Sequence, residues 1–316
     1  MTVTLQQLRY FLAVADVRSF TRAAEVVGVA QPTLSRQLKA LEDELGAALV
    51  DRGARDGPLL TAAGQAVLPF ARRILADAEG ARVAVAEIVG LARGRVRVGA
   101  TPSLCSGVLA DVLRVFHEQY PAIALELAES GSQPLVRSLV RGELDIALVI
   151  VPASGVDAAL HAVPLLRERL SVASAASGEP PSSRGSMGLR ELGRRSLVVP
   201  REGYDLREST LRAFADAGVS PRFAVQGGEM DAVLRMVEAG TGVAVVPDLV
   251  FAGRPGLRRT VLTPALYRTV ALASRADLRP SQATGAFRAT LLGFLAELSA
   301  VGGFPGDVQV LSRPDP

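Results

Sequence analysis

Between Ser19 and Leu45 the chain carries two amphipathic stretches separated by too few residues for anything but a tight corner. Phe20, Ala23, Ala24 and Val27 recur at helical spacing, and Ser19 stands where a hydroxyl caps the first turn, with Glu25 in the early turns. Gly28 follows at a position suited to a left-handed helix cap. Only Val29 and Ala30 precede Gln31-Pro32, and Pro32 suits the first turn of a new helix. That helix places Leu34, Leu38, Leu41 and Leu45 on one face. The small Ala23–Ala24 pair lets another helix cross closely. Helix, short glycine-containing turn, helix is the signature of a helix-turn-helix unit. An earlier amphipathic helix, with Leu5, Leu8, Phe11, Leu12 and Ala15 on its apolar face, opens the chain.

The face opposite the leucines carries Pro32, Ser35, Arg36 and Lys39, with Thr33 at its edge. Short hydroxyls let a helix approach base edges, a guanidinium grips guanine O6 and N7, and cations meet phosphates. Asp43, further along the same face, marks where contact with a phosphate backbone should end. Beyond Gly46, Leu49-Val50 and Leu59-Leu60 read as two short strands around a Gly-rich turn with Arg52 and Arg55. This wing can put arginine on a phosphate or in a minor groove, diluted by Asp51 and Asp56. Bulk charge does not carry the argument. The chain holds 35 basic and 32 acidic residues, net +3, but residues 1–92 hold 10 of each. The surplus lies downstream, where Arg93, Arg95 and Arg97 open the next region. With so few cations per head, useful affinity requires two heads on one site.

Thr61 can cap a helix running to about Leu91. Val67, Phe70, Ile74, Asp77, Ala81, Ala84, Ile88 and Leu91 fall at alternating steps of three and four, a heptad seam broken only by Asp77. Pro69 should kink this helix or force a boundary early in it. A narrow apolar stripe on a long helix calls for a partner helix, so the seam predicts a homodimer.

The remaining two hundred residues repeat themselves. Each half reads strand, helix, proline, strand, Gly-rich turn, helix, glycine, strand. Pro121 and Pro221 mark equivalent points, as do Gly142 and Gly240. The apolar runs Val96–Ala100, Ile146–Val151, Leu197–Pro200 and Val243–Pro247 suit buried parallel sheets flanked by helices. Two such lobes form a hinged clamshell with a ligand between the carboxyl ends of the strands. Strand ends and helix starts then line the cleft. The first lobe supplies Thr101-Pro102-Ser103, with free amides that favour an anion, and Ser130-Gly131-Ser132. The second supplies Arg201 to Tyr204 and Gly227-Gly228-Glu229. Arg201 could pair with a carboxylate or be solvated, and Glu229 argues against a strongly anionic ligand on its side. The segment Ser174–Gly188 reads as a surface loop, and the tail from Val301 as flexible.

Other chemistries find little support. The single cysteine, Cys105, excludes an intramolecular disulfide and fits a reducing cytoplasm. It lies near a helix start where a thiolate could be stabilised, though a buried apolar cysteine is the simpler reading. His117 and His161 lie on unrelated elements with no cluster at metal spacing, so no metal is expected. Lys39 is the sole lysine, which removes a phosphate loop of the Gly-Lys type, and no Gly-x-Ser-x-Gly elbow occurs. No cofactor is called for. The longest uncharged run, Gly57 to Ala71, is too short and too polar to span a bilayer. The opening MTVTLQQLRY has no basic flank ahead of an apolar stretch and does not read as a signal peptide.

The stretch SFTRAAEVVGVAQPTLSRQLKALEDELGAALVDR, followed by LTAAG, resembles the N-terminal winged helix of LysR-type transcriptional regulators. Two departures are Val50, where that family usually has Phe, and a wing about one residue longer. The resemblance implies an N-terminal winged helix-turn-helix, mainly α, over 1–60 and a linker dimerisation helix over 61–92. It further implies a C-terminal α/β two-lobed, periplasmic-binding-protein-like effector domain over 93–300 and a tail over 301–316. The first lobe would be 93–164 plus 266–300, completed by a helix over Ala283–Leu298, and the second 165–265. The chain would cross between lobes near Pro164–Arg167 and return near Thr263–Arg268. It implies DNA contacts at Gln31, Pro32, Thr33, Ser35, Arg36 and Arg52, and a small effector, often a carboxylate, at Thr101, Ser103 and Ser130 or Ser132. It implies no catalysis. The partners would be a double-stranded operator, the effector and further copies in a homodimer or homotetramer, with no membrane. The rival class is a receptor or enzyme on the same two-lobed fold whose N-terminal helices serve protein contact alone.

Overall fold

The computed structural model describes residues 3–53, 57–88, 94–151, 155 and 157–312, with the side chains of 83, 84 and 86–88 left aside. The chain forms two compact units, one of residues 1–91 with 140–143 and the other of 92–139 and 144–316.

In the first unit α1 (Leu5–Val17) starts at a reciprocal cap. The Thr4 hydroxyl accepts from Gln7 N, and the Gln7 side chain accepts from Thr4 N. Arg18, at φ 48°, ends α1 in the left-handed conformation. Ser19 Oγ accepts from Arg22 N to start α2 (Phe20–Val26). Gly28, at φ 71°, turns the chain into α3 (Gln31–Leu45). Leu8, Phe11, Val14, Ala23, Ala24, Leu34, Leu38 and Leu41 are buried together, whereas Leu45 at the helix end is half-buried. Each fully buried leucine contributes roughly 1.5–3 kcal/mol. The wing consists of β1 (Val50–Asp51) and β2 (Leu59–Leu60), paired antiparallel. Val50 fills this core from the wing.

Helix α4 (Ala62–Ile88) is tied to the wing at its start. Thr61 Oγ1 accepts from Gly64 N at 3.0 Å and donates to Ala48 O at 2.7 Å, while Thr61 N donates to Leu49 O. Pro69 lies inside α4 and forces no boundary. The helix presents two faces. Ala71, Val67, Leu68 and Leu75 pack on the helix-turn-helix core. Val67 was expected in the intermolecular seam, but it belongs to its own chain's core because α4 must first dock on the head. Phe70 (66% exposed), Ile74 (45%) and Val85 (61%) form an uncovered apolar stripe, with Ala81 also exposed. The side chains of Ala84 and Ile88, and all of Arg55, Leu91 and Arg93, lie outside the described residues.

The second unit runs β3 (Arg95–Ala100), α5 (Pro102–Leu104), a π-turn over Cys105–Leu109, α6 (Ala110–Gln119), β4 (Ala124–Glu129), α7 (Ser132–Val140) and β5 (Ile146–Ile150). It continues through β6 (Leu160–Ala175), β7 (Ser186–Gly188), α8 (Leu189–Leu192), β8 (Ser196–Val199), α9 (Asp205–Asp216), β9 (Arg222–Gln226), α10 (Met230–Glu238) and β10 (Ala244–Pro247). It closes with a short 3-10 turn, β11 (Leu257–Arg275), α11 (Gln282–Ala300) and β12 (Val308–Val310). The strand–helix–strand–helix–strand order therefore occurs twice. Strands β3, β4 and β5 pair in parallel, as do β8 and β9, because their helical crossovers return each strand in the same direction. Two cores result, one around Val96, Val98, Phe116, Ile146 and Phe287, the other around Leu197, Phe214, Val233, Leu234 and Val246.

A single structural element makes both crossings between the lobes. Strands β6 and β11 form one antiparallel ribbon that runs through both lobes. At one end it pairs with β5, and at the other with β10 and β7. The sheet is therefore mixed, not parallel throughout. The ribbon's register shifts between Val261 and Leu266, at the point of return. Ladder bonds extend β6 to Ala175, and β7 begins at Ser186, so only residues between them form the surface loop expected over Ser174–Gly188. The tail is also corrected. Val308–Val310 pairs with Leu166–Glu168 of β6, and Phe304, Val308 and Val310 pack on the first core. Apolar residues that alternate across a strand supply the reason; residues 313–316 lie outside the described range.

Gly64 sits so close to the wing that a Cβ there would overlap the Leu49 carbonyl oxygen, a backbone atom that cannot swing aside. Gly64→Ala should cost the first unit about 1–3 kcal/mol despite alanine's better helix propensity. Urea unfolding of the full chain, followed by its lower transition, checks this, and an unchanged midpoint would refute the close-approach argument.

Candidate nucleic-acid interface and effector cleft

Helix α3 starts at Ala30 without a side-chain cap, with Gln31 and Pro32 exposed, while Thr33 N and Leu34 N both donate to Ala30 O. Thr33 and Ser35 are half-buried and Arg36 and Lys39 exposed. Helix geometry thus puts Pro32, Ser35, Arg36 and Lys39 on one face of α3, with Thr33 at its edge and Gln31 at the helix start. Their charges are not equivalent. Lys39 Nζ stands 2.8 Å from Asp43, and this hydrogen bond holds the ammonium pKa above its ordinary value. Arg36 makes no hydrogen bond or ion pair to another described residue and projects its guanidinium outward.

Arg52 does more than the wing reading foresaw. Its Nη2 is 3.3 Å from Glu42 Oε2, its Nη1 donates to Ser35 Oγ at 3.3 Å, and its guanidinium lies 5.3 Å above the Phe20 ring. Glu42 itself is buried, and its Oε1 accepts from Leu49 N and Val50 N at 2.8 and 3.2 Å. One carboxylate therefore joins the recognition helix to the wing strand. Sequence reading passed over Glu42, which looks like any acidic residue in an Ala-Leu-Glu-Asp-Glu run; only its i+3 relation to Lys39, turned a little toward the leucine face, could have marked it.

In the second unit a cleft lies between the lobes, beside the ribbon. Thr101, Pro102, Ser103 and Ile150 line it from the first lobe, Tyr204, Asp205, Leu206 and Met230 from the second, and Arg268 from β11. Of the designated residues, Thr101, Ser103 and Tyr204 come together here, and Ser132 reaches the cleft through Asp205. Ser130, Arg201 and Gly228 do not line it. Arg201 donates to Glu229 at 2.7 Å and lies 4.5 Å above the Tyr204 ring, so each lip charge neutralises the other. Arg268 and Asp205 were missed. With 34 arginines in the chain, Arg268 had no distinguishing mark, and Asp205 read as an ordinary first-turn helix residue.

Arg268 Nε donates to Glu168 Oε1 at 2.8 Å, and its Nη2 donates to Ser103 Oγ at 2.8 Å. Glu168 has no exposed surface and also accepts from Leu249 N. Burial pushes its carboxyl above the ordinary range, opposed by the Arg268 charge and hydrogen bonds. Ser132 Oγ donates to Asp205 Oδ2 at 2.7 Å and accepts from Ile150 N at 2.9 Å; Ser132 N also donates to Asp205 Oδ2. The buried hydroxyls of Thr101 and Tyr204 have no protein partner. Cys105 is pushed up to about 12 by burial first and Glu129 second, so at neutral pH it is a thiol and not a poised nucleophile.

A winged head and a two-lobed ligand-binding unit in one chain define a ligand-responsive DNA-binding regulator. Residues 5–65 match the bacterial regulatory helix-turn-helix proteins of the lysR family, and residues 90–296 match the LysR substrate binding domain. The transcriptional regulator BudR of Raoultella terrigena is 34% identical over 251 residues, covering 77% of this chain and 84% of that protein. The RuBisCO operon transcriptional regulator of Allochromatium vinosum is 30% identical over 302 residues, covering 94% and 98%. Among solved structures, full-length OxyR from Pseudomonas aeruginosa aligns with a TM-score of 0.69 at 27% identity, over 92% of this chain and 97% of that one. Full-length CbnR complexed with its target DNA aligns at 0.65 and 26%, over 92% and 100%. The chain belongs to the LysR family: it is a DNA-binding transcriptional regulator with an effector-binding domain, and not an enzyme. No helix among the described residues is long and apolar enough to cross a membrane.

Replacing Arg268 by Met leaves Glu168 buried without its countercharge. The folded-state pKa then rises further above the unfolded value, so folded protein holds the proton over the interval between them. Stability is retained below the unfolded pKa and lost as pH rises through the folded one. The deficit of Arg268→Met relative to wild type should therefore be smaller at pH 5 than at pH 7.5 in thermal unfolding. Equal deficits at both would rule out an ionised Glu168 as the cause.

Proposed function

We propose that the N-terminal half of α3 enters the major groove of an operator, with Gln31, Pro32, Thr33, Ser35 and Arg36 toward the bases and Lys39 toward phosphate. Residues 1–60 form the reading head, 61–92 the pairing helix and 93–300 the effector domain. The wing, with Arg52 and Arg55, rides the flanking backbone. Two chains pair through the α4 stripe of Phe70, Ile74 and Ala81, continued by Ala84 and Ile88, and a homodimer or homotetramer grips an interrupted palindrome. The observation that carries this reading is the division of labour among the cations. Lys39 and Arg52 are held by carboxylates, while Arg36 projects from α3 with no protein partner among the described residues. A guanidinium left free on a recognition helix is suited to a bidentate grip on guanine. The likeness to CbnR, solved in complex with its target DNA, supports DNA binding as the role of such a chain.

A small effector in the cleft, received at Thr101, Ser103 and Tyr204, changes the angle between lobes and hence the spacing of DNA heads. The second unit's ribbon, which carries both crossings, supports a hinge of this kind. A protein that reads DNA and keeps its one cysteine as a half-buried free thiol belongs in the cytoplasm.

Arg36→Ala should weaken operator binding by roughly 1–3 kcal/mol and relax preference at one base pair. A gel shift on the upstream region of its own gene, at several salt concentrations, measures this. Unchanged affinity and preference would remove Arg36 from base readout. In the full chain, Ile74→Asp should halve the sedimenting mass and abolish the shift at wild-type working concentration; an unaltered mass would remove the α4 stripe from the interface.

A further inference from the structure

The cleft contains an anion, and it belongs to the protein. Asp205, from the second lobe, extends its carboxylate to the first turn of α7 in the first lobe. There Oδ2 accepts from both Ser132 N, at 3.2 Å, and Ser132 Oγ, at 2.7 Å. Ser132 is in turn oriented by Ile150 N, which donates to its hydroxyl. A backbone amide and an aligned hydroxyl at a helix start are the donors that a bound carboxylate would use. The lobes also touch beside this contact, since a Cβ at Gly131 would lie 2.5 Å from the Gly203 carbonyl oxygen. In the same cleft, lined by Thr101 and Tyr204, the Thr101 Oγ1 and Tyr204 Oη atoms are buried and without a protein partner among the described residues. The only other charge on the cleft wall among the described residues, Arg268, is matched by Glu168.

We propose that Asp205 is an internal ligand of the cleft's anion seat, and that it sets effector specificity by excluding carboxylates. This rests on the reading of the cleft as the effector site. An incoming carboxylate would find the Ser132 donors taken and would face a like charge in a partly desolvated space. A compact uncharged or cationic molecule meets no such barrier, and its polar groups find the two unpartnered hydroxyls of Thr101 and Tyr204. The contact also spans the lobes, so it holds the cleft shut until a ligand opens it or binds beside it.

The test uses the full chain and three probes of one size: acetate, acetamide and methylammonium, with sodium chloride matching ionic strength. Asp205→Ala vacates the seat. Asp205→Ser, compatible with a helix start, does the same should the alanine variant fail to fold. In thermal unfolding the variant should melt below wild type and regain roughly 2–4 °C with acetate at tenfold excess over its Kd. Acetamide and methylammonium should give no comparable gain, and wild type should not respond to acetate. Adding Ser132→Ala to the variant should abolish the acetate response. A saturable acetate shift in wild type overturns the proposal while leaving the cleft a ligand site. Equal rescue by all three probes, or none by acetate, overturns it as well. Operator binding is read separately by the Arg36→Ala gel shift, so failure of the DNA reading and failure of this proposal are told apart.

Discussion

A carboxylate with no exposed surface must be answered by its surroundings or it destabilises the fold by several kcal/mol. Glu168 is such a group, and the answer to it organises the second unit. It lies on β6 where the ribbon passes from one lobe to the other. Arg268 stands opposite it in the ladder register, and Val308 of the tail strand pairs with it from the other side. Leu249 N supplies a further hydrogen bond, and Arg268 carries the network on to Ser103 in the cleft. Because β6 and β11 make both crossings, this ion pair sits where the two lobes are joined. The tail adds a second brace: Asp307 N donates to Asp248, whose carboxylate also takes two hydrogen bonds from Arg259, and Tyr267 donates to Asp307.

The reading head has an analogous hub on a smaller scale. Glu42 collects two wing amides and the Arg52 guanidinium, which in turn reaches Ser35 on the recognition face. The wing is thereby set relative to α3 by hydrogen bonds, not by hydrophobic packing alone. The cost is charge. Arg52 and Lys39 both spend part of their field on carboxylates of the same chain, in a head whose basic and acidic residues already balance. That balance is consistent with a regulator whose affinity comes from pairing heads on one site.

Local pattern made much of this legible. The helix-turn-helix, the Thr61 cap and the twofold strand–helix order followed from periodicity, caps and glycine positions, all of which act within a few residues. The apolar stripe of α4 was legible too, but its division was not. Val67 packs on its own head while Phe70 and Ile74 stay exposed, and heptad spacing alone cannot say which neighbour a face meets. The tail misread as flexible because Gly302, Gly303 and Pro305 are loop-like, whereas the alternation that makes Val308–Val310 a strand spans only three residues. The ribbon that makes both crossings was not legible for a related reason. A long ribbon shared by two lobes has no signature distinct from two shorter strands joined by a turn.

By itself the sequence determined the parts and their order: a helix-turn-helix with its outward hydroxyls and arginine, a long pairing helix, and two α/β halves. These depend on spacing along one chain, which backbone geometry converts directly into faces. Tertiary structure alone decided which charges are spoken for. Glu42 with Arg52, Glu168 with Arg268 and Asp205 with Ser132 lie 10, 100 and 73 residues apart. Nothing in one-dimensional spacing marks such partners out among the 34 arginines and 32 acidic residues of the chain. Burial makes the difference, because a charge pairs strongly only where the fold has removed water, and that is a property of the assembled core.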